Sequence, residues 1–386
     1  MPSRTRQLRK RTGKSGQDSH ETKESVELKR RVHKINKAIA SEDVAELRRL
    51  AVTGPGLIND GLRKLAWPLL LHCNNEKKIE RVADKHKQED QVKLDVDRSF
   101  AHLRKGTRKV TLKQNQHELC DIIVQVLRRH PTLHYYQGFH DICSILLLVL
   151  GKEAAASAAE NIAMFLLRDA MLDSFDVLLG QLTLLNTILL QEDKEVYQFL
   201  MACELSPYFC ISWVITWCSH DLRSLAKITR LFDFFISSNP LMSVYLAAKI
   251  VLNRREELLA LECDFAIVHS FLSRLPQNLQ VNELIRDTQL LYEKYPASKI
   301  QKLSDVPLHA FSCVNTYTHQ WLSIDPRSII DYSTADKILS VPTSEIQPVK
   351  KLSMYERFLV KDGGMQIAGG LLVVACFIAM YYGLRR

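Results

Sequence analysis

Between residues 25 and 294 the apolar side chains recur at three- and four-residue intervals, and no stretch alternates with period two between hairpin turns. A helix turns once in ~3.6 residues, so this spacing lays one apolar stripe along each helix, whereas a strand needs alternation. Val26, Leu28, Val32, Ile35 and Ile39 set the first helix over residues 25–40. Ser41 is placed to cap a second helix through Leu50, stopped by Gly54-Pro55-Gly56. Asn59-Asp60-Gly61 opens a third, striped by Leu62, Leu65, Ala66, Leu69 and Leu70, with Arg63 and Trp67 four apart and so stacked neighbours. Residues 114–129 form an amphipathic helix that Pro131 ends. Further helices are expected at 142–150, 154–168, 178–190, 195–203, 224–235, 241–254, 265–275 and 283–294, with a buried aromatic stretch at 209–217. The expected fold class is therefore all-α, with ten or more helices packed as one unit over residues 25–297.

The two ends differ from this body. Residues 1–24 are polar, basic and almost free of apolar side chains, the composition of a disordered arm. Residues 298–362 mix short apolar patches with Pro307, Pro326, Pro342 and Pro348 and read as a partly ordered linker with one docked helix. From Ile367 to Leu384 run eighteen uncharged residues, IAGGLLVVACFIAMYYGL, followed by Arg385 and Arg386. At 1.5 Å per residue these span about 27 Å, the hydrocarbon thickness of a thin bilayer. Tyr381 and Tyr382 fall where an interfacial belt lies. Residues 363–386 are thus expected to be a C-terminal transmembrane helix, a tail anchor holding the body in the cytosol. A short span favours the endoplasmic reticulum or early Golgi, while terminal arginines also suit the mitochondrial outer membrane.

The formal charge of +9 is concentrated between Arg4 and Lys34. The body lacks a basic–aromatic stripe, so no nucleic-acid partner is expected, and the arm reads as solvated or drawn to anionic lipid. Nine cysteines are scattered without a C-x-x-C pair. Cys120, Cys143, Cys210 and Cys218 lie in apolar segments, where thiols behave as small hydrophobes, and a reducing compartment fits.

Chemistry concentrates in two stretches, VKLDVDR (92–98) and LHYYQGFHD (133–141). Asp95-x-Asp97 lacks the buried strand that a haloacid-dehalogenase nucleophile needs. His134, His140 and Cys143 match no standard metal spacing and read as core or turn residues. No G-x-x-x-x-G-K-[ST] loop is present, so no cofactor of its own is expected. What remains is a guanidinium, Arg98, three residues after Asp95 and on its helix face, and a carboxamide, Gln137. Those groups limit the chemistry to positioning and charge stabilisation. Each also has a bland reading: Arg98 paired with Asp95 on a helix surface, and Gln137 capping the helix that starts near Phe139.

Four fingerprints in order resemble the TBC-domain GTPase-activating proteins that act on Rab GTPases. R-x-x-x-W is met by Arg63 and Trp67, and I-x-x-D-x-x-R by Val92, Asp95 and Arg98, with Val for Ile. Y-x-Q is met by Tyr135 and Gln137, followed by Gly138. R-[ILV]-W-D is met by Arg230–Asp233, with Phe232 for Trp. The resemblance runs from about Gly56 to Arg254, and the C-terminal apolar segment is similar to that of an endoplasmic-reticulum-associated member. It implies a multi-helical TBC domain that lends residues to a partner's GTP hydrolysis. Arg98 would be an arginine finger, its stem held by Asp95, and Gln137 a glutamine finger. Tyr135 and Gly138 would set the loop, and Arg63 and Trp67 would support the groove. GTP and Mg2+ would come with the GTP-bound Rab. The alternatives are a catalytically silent Rab-binding scaffold and a membrane tether.

Overall fold

The computed structural model describes residues 23–73, 81–100, 109–304 and 307–342. Among these there are eighteen α-helices and no strand. The N-terminal half runs α1 (Lys23–Ala40), α2 (Val44–Val52), α3 (Asp60–Leu70), α4 (Glu89–Val96), α5 (Lys109–Arg129), α6 (Phe139–Leu150) and α7 (Lys152–Asn161). There follow α8 (Asp176–Glu192), α9 (Lys194–Ala202), α10 (Ile211–Ile215), α11 (Leu225–Ile236) and α12 (Met242–Leu252). The chain closes with α13 (Arg255–Leu259), α14 (Phe265–Leu272), α15 (Val281–Lys294), α16 (Ala297–Leu303), α17 (Cys313–Thr316) and α18 (Ser333–Leu339).

The centre of the N-terminal half is α6. It packs against α3, α4, α5 and α7, and every residue on it except Leu148 is buried. That explains its unbroken apolar sequence: a helix covered on all sides has no polar face to show. Ile142, Ile145 and Leu146 lose all exposure, each contributing about 1.5–3 kcal/mol by removal from water. In the other half α12 is covered by α8, α10 and α15, and α11 bridges the halves by packing on α2, α3 and α15.

Three local expectations are corrected. Asp43, not Ser41, caps α2: its carboxylate accepts the Glu46 N–H at 2.9 Å, while the Ser41 hydroxyl turns back to Lys37 O. The helix expected over 154–168 ends at Asn161 and continues as a π-helical stretch, Ile162–Leu166, and a 3₁₀ turn, Arg168–Ala170. Residues 158–172 are all buried, so no exposed face marks the change of winding in the sequence. Residues 298–304 and 307–342 are not a linker with one helix but part of the body. Buried Arg168 donates to Phe311 O at 2.8 Å and Thr316 Oγ1 at 3.1 Å. Asp169 accepts from Ser312 Oγ at 2.5 Å and Cys313 N at 3.0 Å. These bonds seat Trp321, fully buried, edge-on against His72 with ring centres 4.8 Å apart. Further on, Asp336 of α18 meets buried His130 at 2.9 Å. The short apolar patches there found partners more than a hundred residues upstream, which local periodicity cannot show.

Of the cysteines expected to act as small hydrophobes, Cys143, Cys210 and Cys218 are buried thiols, as is Cys313, whereas Cys120 is only half-buried. One pair departs from the all-thiol expectation: Cys203 and Cys263 are disulfide-bonded, with Cα atoms 5.2 Å apart. Among the described residues no single helix is long and apolar enough to cross a membrane. The apolar stretch 367–384 and most of the basic arm lie outside the described residues.

Candidate functional site

Helix α4 ends at Val96, and Arg98 sits in the turn that follows, its backbone N–H on Asp95 O at 3.2 Å. The turn returns the Arg98 side chain over the helix it has just left. Its Nη2 donates to Asp95 Oδ1 at 2.8 Å and its Nε to Leu94 O at 3.3 Å, yet the side chain is 65% exposed. Asp95 is the opposite case, with no side-chain exposure at all. A buried carboxylate needs donors on every lone pair it can fill. Gln91 Nε2 supplies one at 3.2 Å, Arg98 another, and the Tyr135 hydroxyl a third, to Oδ2 at 2.9 Å. The guanidinium is thus tethered at one edge, with its remaining donors facing outward.

Tyr135 carries this network into the second stretch. Its backbone N–H donates to Gln88 Oε1 at 2.7 Å, fixing the 133–138 loop to the start of α4. Burial and the facing Asp95 carboxylate hold its hydroxyl well above the usual tyrosine range, so it remains a neutral O–H donor. Tyr136 anchors the other side of the loop, its hydroxyl on Ile215 O at 2.8 Å. Between these buried tyrosines and α6, Gln137 is half-exposed, and its carboxamide makes no hydrogen bond among the described residues. The capping reading of Gln137 is corrected here. Gly138 occupies the N-cap of α6 at φ +122°, without a side-chain cap bond. A side chain there would be strained, and its Cβ would lie 3.0 Å from Thr216 Cγ2.

Arg63 and Trp67 belong to a second, buried network, apart from that of Asp95 and Tyr135. Both converge on Asp233 of α11, which is fully buried. Arg63 binds it bidentately through Nε and Nη2 at 3.0 Å each, Trp67 Nε1 donates at 2.8 Å, and Leu57 N–H at 3.0 Å. Phe232 stacks on Trp67 with ring centres 5.9 Å apart, so it fills the place of the expected tryptophan as an apolar ring. Arg230 reaches back to Ala51 O and Gly54 O at 3.0 and 2.9 Å, and burial lowers its pKa to about 10. Gly56 closes this knot. Its φ of +66° favours glycine, and a Cβ would stand 2.6 Å from Asp233 Oδ2. The knot ties α2, α3 and α11 together, and through α3 it backs α6.

Three side chains join the site without having been singled out for it. His140 Nδ1 lies 3.2 Å from Tyr135 Oη and accepts from Gly138 N at 3.3 Å. Its Nε2 is 3.5 Å from Asp141 Oδ1, and Asp141 Oδ2 is 2.9 Å from His220 Nδ1. The Asp141 hydrogen bond raises His220 to about 9 against the opposing effect of burial. The adjacency of His140 to Gln137 was the only sequence signal; the partners come from α4 and the 216–222 turn. His134 turns away to Lys87 at 3.1 Å, and among the described residues no three His, Cys, Asp or Glu gather as metal ligands.

Taken together, a helical body displays a tethered guanidinium and an unengaged carboxamide, without a phosphate loop of its own. The fold is similar to that of solved Rab-GAP domains. The Ypt/Rab-GAP domain of Gyp1p superposes with a TM-score of 0.57 at 15% identity, covering 69% of this chain and 99% of that one. The Chlamydomonas flagellar RabGAP TBC domain gives 0.51 at 14% identity, covering 68% and 90%. The chain belongs to the Rab-GTPase-TBC domain family, whose profile matches residues 60–259. It is 39% identical over 287 residues to TBC1 domain family member 20 of Bos taurus, covering 72% of this chain and 70% of that protein. It is also 32% identical over 303 residues to GTPase-activating protein gyp10 of Schizosaccharomyces pombe, covering 76% and 80%.

Proposed function

We propose that this protein is a GTPase-activating protein for a membrane-held Rab GTPase, lending Arg98 and Gln137 in trans to the partner's GTP hydrolysis. GTP and Mg2+ arrive with the Rab. Hydrolysis is limited by charge spreading over the transferring phosphoryl group and by placement of the attacking water. Arg98 answers the first need with planar, permanently charged donors. Gln137 answers the second with a carboxamide that can both accept from and donate to a water. The observation that carries this reading is a contrast in burial: Asp95 and Tyr135 are buried, whereas Arg98 is exposed and Gln137 half-exposed. The side chains meant for the partner are free at the tip and fixed at the root.

In the same reading residues 363–386 hold the body on the cytosolic face of the endoplasmic reticulum or early Golgi, where the protein regulates ER-to-Golgi membrane traffic. Its support is the uncharged run 367–384. Anchoring both partners in one membrane raises their effective concentration.

The test is single-turnover GTP hydrolysis by a panel of Rabs with the wild type, Arg98→Ala and Gln137→Ala. An arginine supplied in trans accelerates such reactions by about 10³–10⁵. Acceleration of one or a few Rabs, lost in both variants, is the expected result. Binding without acceleration of any Rab would instead make the protein a scaffold.

A further inference from the structure

We infer that His140 is a positioning residue for Gln137, its Nδ1 fixing the backbone directly after that finger. His140 sits in the first turn of α6 and is buried. Its Nδ1 accepts the Gly138 N–H at 3.3 Å, beside the Tyr135 hydroxyl whose proton goes to Asp95 Oδ2. Gly138 directly follows Gln137, so this nitrogen holds the backbone on the C-terminal side of the finger.

Gln137 needs such support more than Arg98 does. Arg98 has its own bonds to Asp95 and Leu94, whereas the Gln137 carboxamide has none among the described residues, so its direction is set by the backbone on either side. On one side that backbone is fixed through Gln88 and Tyr136. On the other, the Gly138 N–H has His140 Nδ1 as its partner. The far edge of the ring is steadied in turn: Nε2 faces Asp141, which holds His220. A histidine that only filled space would need neither arrangement. Displacing a catalytic group by about 1 Å can cost about 10²-fold in rate, so a residue that sets the loop acts on turnover more than on binding.

The inference rests on the two-finger reading, and the experiment separates them. The full chain in detergent micelles is assayed with the Rab it accelerates, measuring kcat and KM separately for His140→Asn, His140→Gln and His140→Leu. Asn puts an amide heavy atom where Nδ1 stands, Gln puts its amide near Nε2, and Leu carries neither. The expected result is kcat within about threefold of wild type for Asn and about 10–100-fold lower for Gln and Leu, with KM within about twofold throughout. Added to Gln137→Ala, His140→Gln should cost less than about threefold more, because the finger it aims is gone. Equal losses in Asn and Gln, a loss confined to KM, or full additivity with Gln137→Ala would overturn the inference. A Gln variant as active as the wild type would overturn it while leaving the two-finger reading intact. A wild type that accelerates no Rab would sink that reading itself.

Discussion

Tyr135→Phe removes one oxygen atom from the root of the site. The hydroxyl donates to Asp95 Oδ2 at 2.9 Å, and Asp95 has no side-chain exposure, so no water replaces the lost donor. A hydrogen bond to a buried charged group contributes about 1.5–3 kcal/mol. The variant should therefore melt about 3–12 °C lower, at roughly 2–4 °C per kcal/mol for a domain of this size. The kinetic effect is smaller than removing the finger. Arg98 keeps its bond to Asp95 Oδ1, but the carboxylate that tethers it is held by one donor fewer. We expect kcat in single-turnover GTP hydrolysis to fall about 3–30-fold, or roughly 0.7–2 kcal/mol of barrier, with KM within about twofold. Arg98→Ala should lose nearly the whole acceleration. The assay pairs thermal melting with GTP hydrolysis for Tyr135→Phe, Arg98→Ala and the double variant. The double variant should be no slower than Arg98→Ala alone. If Tyr135→Phe melts lower while kcat is untouched, the Asp95–Tyr135 bond stabilises the fold without holding the finger, and the argument from buried root to exposed tip is wrong.

Asp233→Ala should cost about 3–5 kcal/mol in urea unfolding, because it leaves the buried Arg63 guanidinium without its bidentate partner; a loss below 1 kcal/mol would contradict the knot. Trp321→Ala should cost about 3–5 kcal/mol by the same measurement, since the ring is fully buried, whereas a linker tryptophan would cost almost nothing. His220 is raised from an ordinary 6.5 to about 9 by its bond to Asp141, so its contribution to stability is complete below about pH 6.5 and fades as pH rises through 9. Melting temperatures of wild type and His220→Gln should accordingly converge between pH 6 and pH 10, and a constant gap would refute the pairing. Deleting residues 363–386 should leave GTP hydrolysis in solution unchanged but move the protein to the soluble fraction of cells, and its persistence in membranes would count against an anchor there.

How much of the site was legible depended on sequence distance. Arg98 and Asp95 are three residues apart, so their pairing follows from helix geometry alone. Gln137 was visible as a carboxamide between tyrosines and a glycine, but its freedom was not, because the capping role it could have filled falls to Gly138 at positive φ. His140 read equally well as a turn histidine. Its neighbour Asp95 lies 45 residues before it, and His220, which shares Asp141 with it, 80 after it, beyond any local pattern. The same limit applied to residues 307–342, whose anchors Arg168 and Asp169 stand well over a hundred residues upstream.

By itself the sequence determined that the body is helical, where most helices lie, and which two stretches carry the chemistry, because apolar spacing and motif order are properties of the chain read along its length. Only the tertiary structure decided which polar groups share a buried junction. It joined Asp95 to Tyr135, it drew Arg63 and Trp67 onto buried Asp233, and it folded the segment after α16 back onto the body. The physical reason is that a buried charge must find its donors wherever packing brings them, and packing, unlike periodicity, does not respect distance along the chain.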